Sequence, residues 1–181
     1  VRQMTEKELL TKAAAAGIDH AAIIDAQELV FKFEFRKYCE MNQCGNYGKN
    51  YGCPPDCGTP AEMKAKALAY SKAFVLQTVW PVEDITDSAQ TGPLKKKHNQ
   101  KLRSLMKELS DSGLEGLCIM AGPCSICTPC AKEGGQPCNF PQRTASCLSA
   151  YGIDVVSLCE AAGLDWDYGK NMVAFFGIYM M

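Results

Sequence analysis

Cysteine is the residue that stands out in this chain. There are 11 among 181 residues, and nine of them fall into two short segments. The second segment has the tighter spacing: Cys124-x2-Cys127-x2-Cys130-x7-Cys138, with Cys147 beyond it. Three thiolates within seven residues can each reach a different iron on one side of a cubane, as in the bacterial ferredoxin run. A lone zinc ion usually draws on two separated C-x2-C pairs, and a second such pair is absent here. The spacing therefore points to an iron–sulfur cluster held by Cys124, Cys127, Cys130 and Cys138, with zinc as the alternative.

The first segment runs Cys39-x4-Cys44-x8-Cys53-Pro54-Pro55-Asp56-Cys57. Its glycines at 45, 48, 52 and 58 let the backbone wrap closely around a bulky centre and aim N–H groups at sulfur. Four thiolates from Cys39, Cys44, Cys53 and Cys57 would close a [4Fe–4S] site, whereas three would leave one iron open to a substrate. Ligand exchange between the segments is a further option, because in two-cluster ferredoxins one cysteine of a run serves the other cluster. Cys147 reads as a core residue of a helix, and Cys118 and Cys159 as buried structural thiols. His20 and His98 stand alone and carry no motif. No Walker loop, dinucleotide fingerprint or Ser/His/Asp order supports nucleotide-dependent or hydrolytic chemistry.

These segments need a scaffold. Seven of the nine prolines lie in or beside them (Pro54, Pro55, Pro60, Pro123, Pro129, Pro137, Pro141), which predicts stiff irregular loops over 39–57 and 124–147. Elsewhere helices and strands alternate. Thr5 with Glu8 predicts a capped helix facing inward through Leu9, Leu10, Ala13 and Ala14 and ending at Gly17. Residues 21–24, 73–80, 117–120 and 172–180 read as strands. Thr59-Pro60-Ala61-Glu62 opens a helix whose apolar face reads as Ala61, Ala65, Leu68 and Ala69. A helix over 94–109 presents Leu102, Leu105, Met106 and Leu109, and two more span 142–150 and 154–162. The expectation is one α/β domain over 1–181. It would have a mixed or largely parallel sheet of about four strands, flanking helices and both Cys-rich loops at one sheet edge.

The residues Asn46-Tyr47-Gly48-Lys49-Asn50, Cys53-Pro54-Pro55, Gly122-Pro123-Cys124 with its C-x2-C-x2-C run, and Tyr151-Gly152-Ile153-Asp154-Val155 occur in this order. Over roughly 36–163 the chain thereby resembles the predicted metal-binding proteins of anaerobes and archaea, a family with no settled reaction. The resemblance implies metal binding, in iron–sulfur form, through Cys39, Cys44, Cys53, Cys124, Cys127, Cys130 and Cys138. The chain departs from that pattern at Asp56-Cys57 and at Cys147.

Charge and composition narrow the partners. With 19 basic and 20 acidic residues the net charge is −1, which argues against nucleic acid or an anionic membrane surface. No apolar run is long enough to span a membrane, and the opening residues lack a secretory pattern, so a reducing cytosol is expected. Three functions remain open: a carrier of one or two [4Fe–4S] clusters serving a redox partner protein, an enzyme with an open-iron three-cysteine cluster, or a zinc-bound structural module.

Overall fold

The computed structural model describes residues 3–181. In chain order the regular elements are α1 (Glu6–Ala15), β1 (His20–Asp25), α2 (Arg36–Glu40), α3 (Pro60–Leu68), β2 (Lys72–Pro81), α4 (Ser88–Asp111), β3 (Leu117–Met120), β4 (Ser146–Cys147), α5 (Leu148–Tyr151), α6 (Val155–Ala162) and β5 (Met172–Met180). The local signals act where the sequence places them. Thr5 and Glu8 close a reciprocal capping box on α1, and Thr59 and Glu62 do the same on α3 with Pro60 in the first turn.

The described strands form a mixed five-stranded sheet in the order β1-β2-β5-β3-β4. Parallel pairing is confined to β3–β4; β1–β2, β2–β5 and β5–β3 are antiparallel. β2 is buried without a break from Ala73 to Thr78, because helices cover both faces. One face carries α1 and α4, packing Leu9, Ala13, Leu102, Leu105, Met106 and Leu109 against Phe74, Leu76 and Tyr179. The other carries α3, α5 and α6, packing Met63, Ala67, Tyr151 and Leu158 against Val75, Ile119 and Ile178.

Four local readings change. On α1 only Leu9 and Ala13 face inward, while Leu10 and Ala14 are exposed. The buried face of α3 is Met63 and Ala67, while Ala61, Ala65 and Ala69 are exposed. Small alanines carry little facing information, and the larger Met63 turns toward the sheet. The stretch 142–147 is not helical; it is a turn leading into β4, and α5 starts only at Leu148. The first cysteine segment is not an irregular loop throughout, since Cys39 lies within α2.

A buried polar relay links α4 to the sheet. His98 is fully buried, with Nε2 3.2 Å from the Phe176 carbonyl and Nδ1 2.7 Å from the Thr78 hydroxyl. A carbonyl can only accept, so Nε2 carries the proton and Nδ1 accepts from Thr78. Trp80 Nε1 in turn donates to the Thr78 oxygen at 2.7 Å. Burial pushes the imidazole pKa down to about 4, so the ring is neutral.

Candidate metal centre

The segment before α2 is seated on the α5–α6 turn. Lys32 N–H donates to the Gly152 carbonyl at 2.7 Å and Asp154 N–H to the Val30 carbonyl at 2.9 Å. The Lys32 ammonium pairs with Asp154 at 2.9 Å. Gly152 has φ +73°, and a Cβ there would stand 2.8 Å from the Lys32 carbonyl oxygen. The Tyr151-Gly152-Ile153-Asp154 stretch is therefore a docking platform for the chain that delivers Cys39.

Past Cys39 the loop folds on itself. Asn42 Oδ1 accepts from Tyr47 N–H at 3.0 Å, Asn46 Nδ2 donates to the Cys44 carbonyl at 2.9 Å, and Gly48 N–H donates to the Pro54 carbonyl at 2.9 Å. Cys39, Cys44, Cys53 and Cys57 share one electrostatic neighbourhood, and Cys147 stands within it. Burial, followed by the thiols of Cys147, Cys44, Cys57 and Cys39, pushes the Cys53 thiol up to about 12. Burial and then Cys147 raise Cys39. Cys57 is also raised, chiefly by burial, with Arg36 acting in the opposite sense. Cys147 itself is raised by burial, offset by the backbone N–H groups of Ala150, Ser149 and Cys147 at the start of α5.

Cys147 is the residue that the reading of the chain as a string misplaced. It is not in a helix, although it does pack against the core as a partly buried residue. It ends β4, paired in register with Met120, and caps α5, from where its thiol raises Cys39 and Cys53 of the first loop. One signal could have pointed to it: the second segment holds five cysteines, one more than a four-ligand site uses.

The second segment joins β3 to β4 and is pinned by α4. Asn99 Nδ2 donates to the Ala121 carbonyl at 2.6 Å, Ala121 N–H returns to Asn99 Oδ1 at 3.2 Å, and Arg103 donates to Ser125 Oγ at 3.1 Å. Cys124, Cys127, Cys130 and Cys138 all line one small cavity, whose other walls include Ile126, Phe140 and Tyr51. Asn139 Nδ2 donates to Cys127 Sγ at 3.8 Å; Thr144 Oγ1 donates to the Phe140 carbonyl at 3.1 Å and lies 3.2 Å from the Cys138 thiol, from which it accepts. Such contacts tune sulfur-bound metals.

The two loops are in contact. Asn50, only 6% exposed, accepts from Gly52 N–H at 2.9 Å and donates to the Cys124 carbonyl at 2.9 Å. Tyr51 donates to the Gln136 carbonyl at 2.8 Å, and Lys132 pairs with Asp56 at 2.5 Å. Gly52 lies so close to the second loop that a Cβ would stand 2.6 Å from the Ala145 carbonyl and 2.9 Å from Cys124 Cβ.

All 11 cysteines are free thiols. Among the described residues no three Cys, His, Asp or Glu side chains converge tightly enough to enclose a single ion. The donor chemistry, thiols in two groups of which only Cys53 is fully buried and Cys44 is exposed, suits a thiophilic metal. The family described as "Predicted metal-binding protein (DUF2284)" matches residues 22–181. The chain belongs to this family. No curated protein and no solved structure matches this predicted metal-binding protein. The family's match takes in both cysteine segments and all five strands from Ala22 onward. Cys118 and Cys159 lie outside both thiol groups, packed with the two cores, and burial raises each to about 11. Among the described residues, no helix is long and apolar enough to cross a membrane.

Proposed function

We propose that this predicted metal-binding protein carries two [4Fe–4S] clusters and serves a reducing compartment as an electron carrier or redox accessory. The second cluster would be held by Cys124, Cys127, Cys130 and Cys138. The first would be held by Cys39, Cys44 and Cys53, with the fourth thiol from Cys147 or Cys57. Cys147 is the stronger candidate, because it is the leading electrostatic neighbour of both Cys39 and Cys53. A bound cluster supplies reversible one-electron chemistry at a potential set by its ligands and surroundings.

The observation that carries this reading is the contact between the loops. The backbone of Gly52, the residue preceding Cys53, abuts Cys124 Cβ. A ligand from each centre is then joined by one peptide unit and one van der Waals contact, a short route for electrons. The protein's own groups do the rest. Ile126, Phe140 and Tyr51 line the second site, Asn139 donates to Cys127 Sγ, and the Thr144 hydroxyl lies 3.2 Å from Cys138 Sγ.

The test is anaerobic purification with iron, sulfide and zinc analysis and electron paramagnetic resonance of the reduced protein. About eight iron and eight sulfide per chain, with two interacting spectra, are expected for two cubanes. Colourless protein with stoichiometric zinc that resists reconstitution would replace this reading with the zinc module. A cluster spectrum that changes on adding small thiols or carboxylates would mark an open iron and favour an enzyme.

A further inference from the structure

Arg36 is a buried cation without a carboxylate. It opens α2, one turn before Cys39, and is 9% exposed. Its guanidinium donates to the Gly58 carbonyl at 2.8 Å, the Ala150 carbonyl at 2.9 Å and Met63 Sδ at 3.1 Å, all neutral acceptors. Nε has no partner. Among the described residues the ion pairs all lie elsewhere. An isolated charge removed from water costs several kcal/mol, so buried charges are normally matched by an opposite one. Hydrogen bonds to carbonyls orient a guanidinium but do not neutralise it.

The three acceptors show where the missing negative charge belongs. Gly58 follows Cys57, whose Sγ lies 3.5 Å from the same Met63 sulfur. Ala150 belongs to the helix that Cys147 caps. Arg36 thus sits among the three chain segments that carry Cys39, Cys57 and Cys147. Four thiolates on a divalent ion, or on a [4Fe–4S]2+ core, leave a net charge of about −2.

We propose that Arg36 is the fixed counter-charge of the first metal centre, a positioning residue that favours its anionic thiolate form. This rests on the first thiol group being a metal site. The charge acts on the first site selectively, since no contact of Arg36 reaches the second loop.

The test compares wild type, Arg36→Met and Arg36→Lys. Metal-free protein is titrated anaerobically with Zn2+ against a chelator, and the cluster-loaded forms undergo redox titration followed by electron paramagnetic resonance. In Arg36→Met the first site should bind Zn2+ at least tenfold more weakly while the second site is unchanged. Its cluster potential should fall by a tenfold change in the one-electron equilibrium, about 59 mV. Arg36→Lys keeps the charge but not the fork, and should restore most of both quantities. If Met and Lys weaken the first site equally, or if neither alters it, Arg36 is merely structural and the counter-charge is overturned while the metal site stands. If the wild-type first loop takes up no metal, that metal site and the counter-charge both fall. Should the chain fold only with zinc, the chelator titration alone decides.

Discussion

Replacing Gly52 by alanine tests whether the two loops form one unit. The added methyl would stand 2.6 Å from the Ala145 carbonyl oxygen, 2.9 Å from Cys124 Cβ and 3.3 Å from Asn50 Oδ1. Ordinary contact begins near 3.4 Å, so the second loop must retreat from 2.6 Å to at least that distance. The obstructing carbonyl is backbone one residue before β4, which is tied in register to β3, so it yields only by moving the strand. Overpacking of this kind costs about 1–3 kcal/mol, which for a chain of this size lowers Tm by roughly 2–12 °C. Retreat also stretches the Asn50–Cys124 bond, so electron exchange between the centres should slow. Anaerobic thermal denaturation and reduction kinetics of the two clusters measure both effects. Gly134→Ala, with nothing within 4 Å, is the control and should be silent. A Gly52→Ala protein with wild-type Tm and exchange rate would refute the idea that the loops are packed as one body.

Other outcomes follow from the same contacts. Cys147→Ser should lose or distort the first centre and leave the second spectrum intact, whereas Cys57→Ser should leave both nearly unchanged; the reverse pattern would make Cys57 the fourth ligand. Metal removal by chelation or oxygen should lower Tm, because ligand binding energy is folding energy in such sites, and equal melting of apo- and holo-protein would contradict it. His98 has a folded pKa lowered from 6.5 to about 4. The unfolded chain therefore takes up the proton first, and stability present above pH 6.5 is lost as pH falls toward 4, by roughly 3 kcal/mol in full. Melting of metal-free protein between pH 7.5 and 4.5 should show this slope, and His98→Gln should flatten it.

Local signals were dependable where the physics is local. The capping boxes at Thr5 and Thr59 and the inward row Leu102, Leu105, Met106 and Leu109 depend on residues three or four apart, and all are realised. The face of α3 was misread because alanines at 61, 65 and 69 fit either side of a short helix. The helix read over 142–150 failed for a different reason. Ser146 and Cys147 are captured by β3, a pairing that no local propensity encodes.

The order of residues by itself determined where the cysteines gather along the chain and that an α/β scaffold would carry them. Tertiary structure decided the rest. It placed β5, the last strand, between β2 and β3, and it put Cys147 at the end of β4 rather than in a helix. It also brought Arg36 against Ala150, 114 residues away, and Asn50 against Cys124, 74 residues away. The physical reason is the same in each case. Spacing along a chain encodes contacts within a turn of helix or a step of loop, whereas a buried charge or an inter-loop hydrogen bond exists only once distant segments have closed around it.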